Sequence, residues 1–168
     1  YATEVLARER VGYGTYNFSV ESDVLSSDPS VVAGFFTWDT DPTEFNREID
    51  IEFAAWGDPG GTKFQYVVQP YTSPDRIEIF DPRLQGSSTT HRIVWFPDRL
   101  EFFSYHGPVD PDDPKAQDNL MHHWRFQGKP PSEGRVRCRI NLWLFRGREP
   151  KERIEMVVTS FDFNPMDR

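Results

Sequence analysis

The chain has 168 residues, of which 15% are aromatic and 14 are proline, and its formal net charge at pH 7 is −8. A chain of this charge repels phosphate backbones and anionic lipid surfaces, so we expect neither nucleic acid nor a membrane as partner, whereas a neutral glycan is not repelled. The length is sufficient for one domain with a sizeable core, and no apolar run approaches the length that spans a bilayer.

Short alternating or apolar segments follow one another along the chain, separated by clusters of Gly, Pro, Asp and Ser. These segments predict strands at residues 1–7, 16–21, 31–38, 48–53, 62–71, 77–80, 91–96, 99–105, 136–144 and 154–163. The segments between them are expected to be loops, chiefly residues 26–30, 39–46, 57–61 and 109–118. A succession of short strands without a long helical segment indicates an all-β sandwich or jelly roll.

Residues 48–53 alternate strictly between acidic and apolar side chains. In an extended strand, the acidic side chains of Glu48, Asp50 and Glu52 share one face and the apolar side chains share the other. Like charges on one face repel, and each raises the pKa of its neighbours. Glycosidic cleavage requires such an arrangement, because one carboxyl must donate a proton while an ionised one attacks. The alternatives are an acidic sheet edge or a cation site, although a straight strand spreads the ligands of a cation apart.

The strand at residues 62–71 is expected to pair antiparallel with the acidic strand, because only a short loop separates them. Gln65 and Gln69 then point toward the same cleft as the acids. In the strand at residues 136–144, one face carries Arg137, Arg139, Asn141 and Trp143. Guanidinium donors, an amide and a flat ring suit a sugar, and a solvated outer face is the alternative.

The acidic strand resembles the active-site strand of glycoside hydrolase family 16, which includes lichenases, laminarinases, agarases, carrageenases and xyloglucan transglycosylases. Other segments resemble the same family, namely GYGTY at residues 12–16, FFTW at 35–38, TKFQY at 62–66, HRIVWFP at 91–97 and NLW at 141–143. The resemblance implies a concanavalin-like β-jelly roll of two antiparallel sheets, with a single catalytic domain over residues 1–168. The family's usual N-terminal strands are largely missing, so we expect a shortened or compact variant.

By this resemblance, Glu48 is the nucleophile, Glu52 the general acid/base and Asp50 the assisting acid. The implied activity is that of a retaining endo-β-glycan hydrolase acting on a polysaccharide, with β-1,3- or mixed β-1,3/1,4-glucan favoured. No metal or organic cofactor is expected; some relatives hold a structural calcium, for which no matching ligand set is visible. A secreted or periplasmic monomer is implied.

The residues expected to bind substrate are Glu4, Trp38, Gln65, Gln69, Asn141 and Trp143. Glu4 aligns with a substrate-binding glutamate of the family, and the two tryptophans align with cleft positions, although a core role is the default for any tryptophan. The chain departs from the lichenase pattern at Leu6, Asn46, Arg47, Val67 and Gln69. Cleavage chemistry is therefore predicted with more support than the substrate.

Three alternatives remain open at this level. A transglycosylase would use the same covalent intermediate, a lectin-like module would use the sandwich for binding alone, and a structural domain would bind no ligand. His122 and His123 fall in a segment typical of a loop, without a third ligand at metal spacing, so a zinc site is not expected. Cys138 has no second cysteine to pair with and is expected in the core.

Overall fold

The computed structural model describes residues 2–22, 28–61, 64–150 and 152–167, and these form two antiparallel sheets. The six-stranded sheet consists, in spatial order, of β1 (Ala2–Leu6), β10 (Arg137–Leu144), β3 (Val31–Trp38), β4 (Ile49–Ala54), β5 (Phe64–Val68) and β6 (Ile77–Phe80). The five-stranded sheet consists of β11 (Val158–Pro165), β2 (Gly14–Glu21), β7 (Ser88–Phe96), β8 (Arg99–His106) and β9 (Leu120–Arg125). The predicted all-β jelly roll is confirmed.

The strand predictions differ from the structure mainly in β9. The segment of β9 was expected to be a loop, but it pairs with β8 at the edge of the five-stranded sheet. Its two histidines then meet carboxylates, His122 at Glu78 (2.8 Å) and His123 at Glu101 (2.9 Å). Strand β6 of the other sheet supplies Glu78 and the neighbouring strand β8 supplies Glu101, so this segment's own composition does not indicate the strand.

Several strand ends also differ from the predictions. The strand expected at residues 62–71 ends at Val68, because Pro70 has no N–H with which to continue the ladder. The last strand covers residues 158–165 rather than 154–163. Parts of three predicted segments, Tyr1, residues 26–27 and residues 62–63, lie outside the described residues.

Two predicted loops contain short 3₁₀ helices, at Pro42–Arg47 and Pro114–Asn119. Each begins with proline after an aspartate whose side chain accepts a backbone N–H, Asp41 from Thr43 (3.1 Å) and Asp113 from Lys115 (2.9 Å). No helix among the described residues is long and apolar enough to cross a membrane.

The core lies between the two sheets and is rich in aromatic rings. Ile49 and Ile51 of β4 point into it and are fully buried, which places the acidic side chains of β4 on the outer face. Phe18 and Phe35 stack across the sheets with ring centroids 4.7 Å apart. Cys138 is 2% exposed, as expected, and burial raises the pKa of its thiol to about 12.

A buried polar cluster, the His91 network, lies within this core. His91 bonds Ser104 Oγ through Nδ1 and Thr89 Oγ1 through Nε2, both at 2.8 Å. The Tyr66 hydroxyl donates to Ser104 Oγ at 2.6 Å. Burial lowers the pKa of His91 to about 3, so the imidazole is neutral in the folded protein.

Candidate active site

The outer face of the six-stranded sheet is built from rows of side chains that cross the strands. In an antiparallel pair, residues opposite each other point to the same face. The register defines an Asp50 row of Leu6, Arg139, Phe36, Asp50 and Val67. The neighbouring Glu52 row consists of Glu4, Asn141, Gly34, Glu52 and Gln65. Predicted substrate-binding residues from β1, β5 and β10 thus lie in register with the acids of β4.

Two cavities open on this face and meet at Glu52. The acidic cavity, of about 280 Å³, is lined by Glu4, Gly34, Phe36, Trp38, Glu48, Asp50, Glu52, Arg139, Asn141 and Trp143. The aromatic cavity, of about 440 Å³, is lined by Glu52, Trp56, Gln65, Val67, Gln69, Tyr71, Ile77 and Phe145. The structure therefore brings the predicted catalytic residues together with most of the predicted binding residues. Gln65 and Gln69 line the aromatic cavity instead, and a hydrogen bond from the Gln69 side chain lowers the pKa of Asp50.

Asp50 is the most enclosed of the three acids, with 4% of its surface exposed. Its neighbours across the strands are the apolar Phe36 and Val67. Burial raises its pKa well above the ordinary value, and the charges of Glu48 and Glu52 raise it further. The Oδ2 atom has no hydrogen-bond partner among the described residues. The enclosure of Asp50 therefore favours its protonated form.

Glu48 shares a hydrogen bond with Asp50. Burial raises the pKa of Glu48 to about 7, the bond to Asp50 and the Arg139 charge lower it, and the Glu52 charge raises it. The same bond raises the pKa of Asp50. A bond with these opposite effects is one in which protonated Asp50 donates to ionised Glu48. The arrangement leaves the negative charge on Glu48.

Glu52 is held by the neighbouring strand. Gln65 Nε2 donates to Glu52 Oε2 at 2.5 Å, and Trp56 Nε1 donates to Gln65 Oε1 at 3.3 Å. Burial raises the pKa of Glu52, and the bond from Gln65 opposes this shift. Gln65 thus fixes the position of an acid that opens onto both cavities.

The backbone around Glu48 is clamped from β3. Thr37 Oγ1 donates to the Arg47 carbonyl oxygen at 2.7 Å and accepts from Ile49 N at 3.2 Å, so it bonds the residues on both sides of Glu48. The preceding residues Phe45, Asn46 and Arg47 have φ of 50°, 57° and 50°, which is the left-handed region that such side chains rarely adopt.

Asn46 and Arg47, two departures from the lichenase pattern, hold this loop and do not line the acidic cavity. Arg47 Nη1 bonds Asp39 Oδ2 at 2.6 Å and Asp41 Oδ2 at 3.2 Å. Asn46 Nδ2 donates to the Asp39 carbonyl oxygen at 3.0 Å. Both side chains compensate for the left-handed backbone that leads into Glu48.

Three predicted binding residues, Glu4, Trp38 and Trp143, contact other side chains of the cleft. Glu4 Oε1 accepts from Arg139 Nη1 at 2.7 Å, and the Arg139 guanidinium lies 5.6 Å from the centre of the Trp38 ring. Trp143 packs edge-on against Trp56 with centroids 6.0 Å apart. Trp38 and Trp143 are partly exposed in the acidic cavity, so both are cleft residues rather than core residues.

Among the residues lining the acidic cavity, Gly34 and Phe36 were not predicted as site residues, and Arg139 was predicted only as one of the donors on its strand face. Gly34 separates Asn141 from Glu52, and a Cβ there would lie only 3.0 Å from Asn141 Oδ1. A glycine inside an apolar strand is a signal for such a close approach. Arg139 shares its face with Asn141 and Trp143, but its bond to Glu4 joins residues 135 positions apart.

No protein-family model and no curated protein sequence matches the chain. Solved structures do match. A prokaryotic β-1,3-1,4-glucanase (lichenase) from a mouse hindgut metagenome is 23% identical, with TM-score 0.55, over 84% of this chain and 57% of that one. A β-1,3-glucanase from Mycobacterium marinum is 20% identical, with TM-score 0.56, over 92% of this chain and 64% of that one.

The κ-carrageenase of Pseudoalteromonas carrageenovora, in complex with a κ-carrageenan oligosaccharide, is 11% identical, with TM-score 0.58. The match covers 84% of this chain and 54% of that one. The chain thus spans between half and two-thirds of the length of these enzymes. At such identities the likeness concerns the fold, which is the jelly roll typical of glycoside hydrolase family 16, as the acidic strand and its flanking segments predicted.

Proposed function

We propose that the protein is a retaining endo-acting β-glycan hydrolase. The observation that carries this proposal is the acid series at β4, in which a buried Asp50, whose pKa is raised, lies between Glu48 and Glu52 on one face of a cleft. A nucleophile and a proton donor that flank the scissile bond, with their carboxyls about 5–5.5 Å apart, are what the retaining mechanism requires.

In the first step, ionised Glu48 attacks the anomeric carbon while Glu52 gives its proton to the leaving oxygen. The bond between that carbon and the leaving oxygen breaks, and an ester between Glu48 and the sugar forms. The raised pKa of Glu52 keeps its proton available for this transfer. Asp50 holds Glu48 in place by donating a hydrogen bond to it.

In the second step, Glu52, now ionised, takes a proton from water, and the resulting hydroxide attacks the same carbon. The ester bond to Glu48 breaks, so the configuration of the anomeric carbon is retained after two displacements. Because Glu52 opens onto both cavities, the proposal places the glycosyl group in the acidic cavity and the leaving group in the aromatic cavity.

The favoured substrate is a β-1,3- or mixed β-1,3/1,4-glucan. The support is that two of the similar structures are a β-1,3-1,4-glucanase and a β-1,3-glucanase. The carrageenase has the same fold, so the fold does not choose the polysaccharide. The balance of charge in the acidic cavity, four carboxyls and one guanidinium, favours a neutral glycan over a sulfated one.

The test is release of reducing ends from laminarin, barley β-glucan, xyloglucan, agarose and carrageenan. We expect release from one of the glucans, reduced roughly 10⁴-fold or more in Glu48→Gln and in Glu52→Gln, since each residue is a reacting group. Glu101→Gln is the matched control, because Glu101 pairs with His123 on the other sheet. The anomeric configuration of the first product, read by NMR, reports retention.

Binding without release from any glycan would replace the proposal with a lectin-like module. Products longer than the starting oligosaccharide would indicate transfer to a sugar hydroxyl, for which the aromatic cavity beside Glu52 offers an acceptor site. Both outcomes are separated from hydrolysis by chromatography of the same reactions.

The pH dependence of kcat/KM gives a second test. Glu48 must be ionised to attack, so with its pKa near 7 the rate falls as pH decreases below about 7. Glu52 must be protonated, so the rate also falls at high pH. The acids interact, and the limbs report the group as a whole. A rate that stays constant on the acid side down to the ordinary carboxyl range would contradict the assignment of Glu48.

A further inference from the structure

We propose that Arg139 is a specificity-determining residue of the acidic cavity, which together with Asn141 hydrogen-bonds neighbouring hydroxyls of a neutral sugar residue next to Glu48. The inference rests on the proposed function, because it places a glycan in this cavity. It goes further by assigning recognition to a side chain of β10 that the motif-based site does not contain.

The strand register places Arg139 at the centre of the cavity. It lies between Leu6 and Phe36 in the Asp50 row, next but one to Asp50 itself. Both immediate neighbours are apolar and offer no hydrogen bond. In this row, Arg139 is therefore the group that can donate to a ligand lying over the acids.

The Arg139 guanidinium is bonded to Glu4 and remains partly exposed to the cavity. Nη1 donates to Glu4 Oε1 at 2.7 Å, and the Trp38 ring lies 5.6 Å from Cζ. The Arg139 side chain retains 25% of its exposure, so it faces the cavity and is not sealed beneath it. These contacts pre-orient the fork before a ligand arrives, which reduces the entropy lost on binding.

Two buried polar atoms of the cavity have no partner among the described residues. They are Nε of Arg139, a donor, and Oδ1 of Asn141, an acceptor. A buried polar group without a partner destabilises the protein, so such atoms call for an explanation. The two residues are next but one along β10 and point to the same face. Neighbouring sugar hydroxyls, each of which donates and accepts, satisfy both atoms once the two side chains turn these buried atoms toward the cavity.

The charges of the cavity indicate that Arg139 acts through hydrogen bonds and not as an anion site. Glu4 neutralises its charge in a direct ion pair. The other ionisable groups lining the cavity are the acids Glu48, Asp50 and Glu52. A sulfate or carboxylate on the ligand would meet these acids, so the structure favours an uncharged sugar.

The experiment measures binding in the Glu48→Gln protein, so that the ligand is not consumed. Laminarihexaose and a mixed-linkage glucan hexasaccharide are titrated by calorimetry into Glu48→Gln, alone and combined with Arg139→Met or Arg139→Lys. We expect Arg139→Met to weaken binding of one of them by about 10- to 100-fold, the range for a hydrogen bond to a charged group. Arg139→Lys, which keeps the charge but loses Nε and the fork, is expected to restore little of this loss.

Arg99→Met is the matched control, because Arg99 also lies over an aromatic ring, Phe96 at 4.7 Å, but in the other sheet. Glu48→Gln/Arg99→Met should bind the oligosaccharides with the same affinity as Glu48→Gln alone. Recognition by hydrogen bonds also predicts a Kd that changes little with added NaCl, whereas an anion site would weaken with salt. Thermal unfolding of each variant checks that the fold is intact; if Arg139→Met unfolds, Arg139→Gln replaces it.

If Glu48→Gln/Arg139→Met binds the oligosaccharides as tightly as Glu48→Gln alone, the inference is overturned. Full recovery of affinity in Glu48→Gln/Arg139→Lys would also overturn it. Tight binding by Glu48→Gln, lost in Arg139→Met, with no glycan cleaved by the unmodified protein, would support the inference while rejecting hydrolysis. Failure of Glu48→Gln to bind either oligosaccharide, when the unmodified protein cleaves one of them, would also overturn the inference and leave the proposed function standing.

Discussion

Two groups of buried polar side chains lie on opposite sides of the six-stranded sheet, and they differ in how their hydrogen bonds are satisfied. In the His91 network of the core, both ring nitrogens of His91 have hydroxyl partners and the Tyr66 hydroxyl donates to Ser104. On the outer face, Glu48, Asp50 and Glu52 are crowded together and Asp50 Oδ2 has no partner. The core between the sheets therefore holds a satisfied network, and the outer face of the six-stranded sheet holds an acid series with an unpartnered oxygen.

The His91 network stabilises the fold, whereas the acid series supplies the reacting groups of the proposed mechanism. A satisfied buried network costs stability when one member is removed, because the others lose their partners. Acids whose pKa is raised in the folded state oppose folding at neutral pH, because the unfolded chain ionises them more readily. We infer that the acid series is maintained for chemistry at the expense of stability.

The two groups affect stability with opposite sign as pH changes. Below pH 6.5 the unfolded chain protonates His91, while the folded protein, with a pKa of about 3, does not, so stability falls as pH decreases. Between pH 7 and 4.5 the folded protein protonates Glu48 while the unfolded chain does not, so stability rises as pH decreases. In the unmodified protein the two trends partly cancel.

The largest expected change in the pH dependence of stability comes from removing the acids that oppose the effect of His91. In the variant Glu48→Gln/Asp50→Asn, the free energy of unfolding should fall by about 3 kcal/mol between pH 6.5 and about 4, close to 1.4 kcal/mol per pH unit for one proton. The unmodified protein should lose less over the same range. Urea unfolding at each pH measures both curves, and parallel curves would contradict the assigned pKa of Glu48.

Removing one strained acid should stabilise the protein at higher pH. Asp50→Asn eliminates the free energy of keeping a buried carboxyl, so we expect the free energy of unfolding to rise at about pH 8, together with a large loss of turnover. Asp162→Asn, on the exposed strand β11, is the control and should change neither property. Loss of stability in Asp50→Asn would mean that the hydrogen bonds of Asp50 outweigh the cost of burying its carboxyl.

Removing one member of the His91 network should lower the free energy of unfolding. Tyr66→Phe leaves Ser104 with one partner fewer and should cost about 1–1.5 kcal/mol, with turnover unchanged because the hydroxyl lies on the inner face. A double-mutant cycle with Ser104→Ala measures the coupling between the two hydroxyls. Additive costs would show that the hydroxyls act independently.

The smallest expected change in stability is that of Gly34→Ala. The added methyl fits the strand backbone but approaches Asn141 Oδ1 to 3.0 Å, so stability should change by less than about 0.5 kcal/mol. Glycan affinity should fall about tenfold, because the methyl occupies the floor of the acidic cavity. Gly60→Ala, in an open exposed turn, is the control. Unchanged affinity would place the sugar away from Gly34.

The acidic strand could be predicted because its information is local. Alternation along residues 48–53 specifies two faces without reference to any other part of the chain, and β4 has those faces. The same holds for Arg139, Asn141 and Trp143 on β10, whose common face was predicted and lines the acidic cavity. Strand β9 could not be predicted in this way, because its histidines find carboxylates 44 and 22 residues away.

By itself, the sequence determined the fold class, the face that carries the acids and the identity of the three candidate catalytic residues. The tertiary structure alone decided which residues meet across strands, such as Arg139 with Glu4 and Gly34 with Glu52. It also decided that the pKa values of Asp50 and Glu48 are raised, since burial disfavours their ionised forms. The physical reason is that alternation has a period of two residues, whereas register and burial depend on contacts made far apart in the chain.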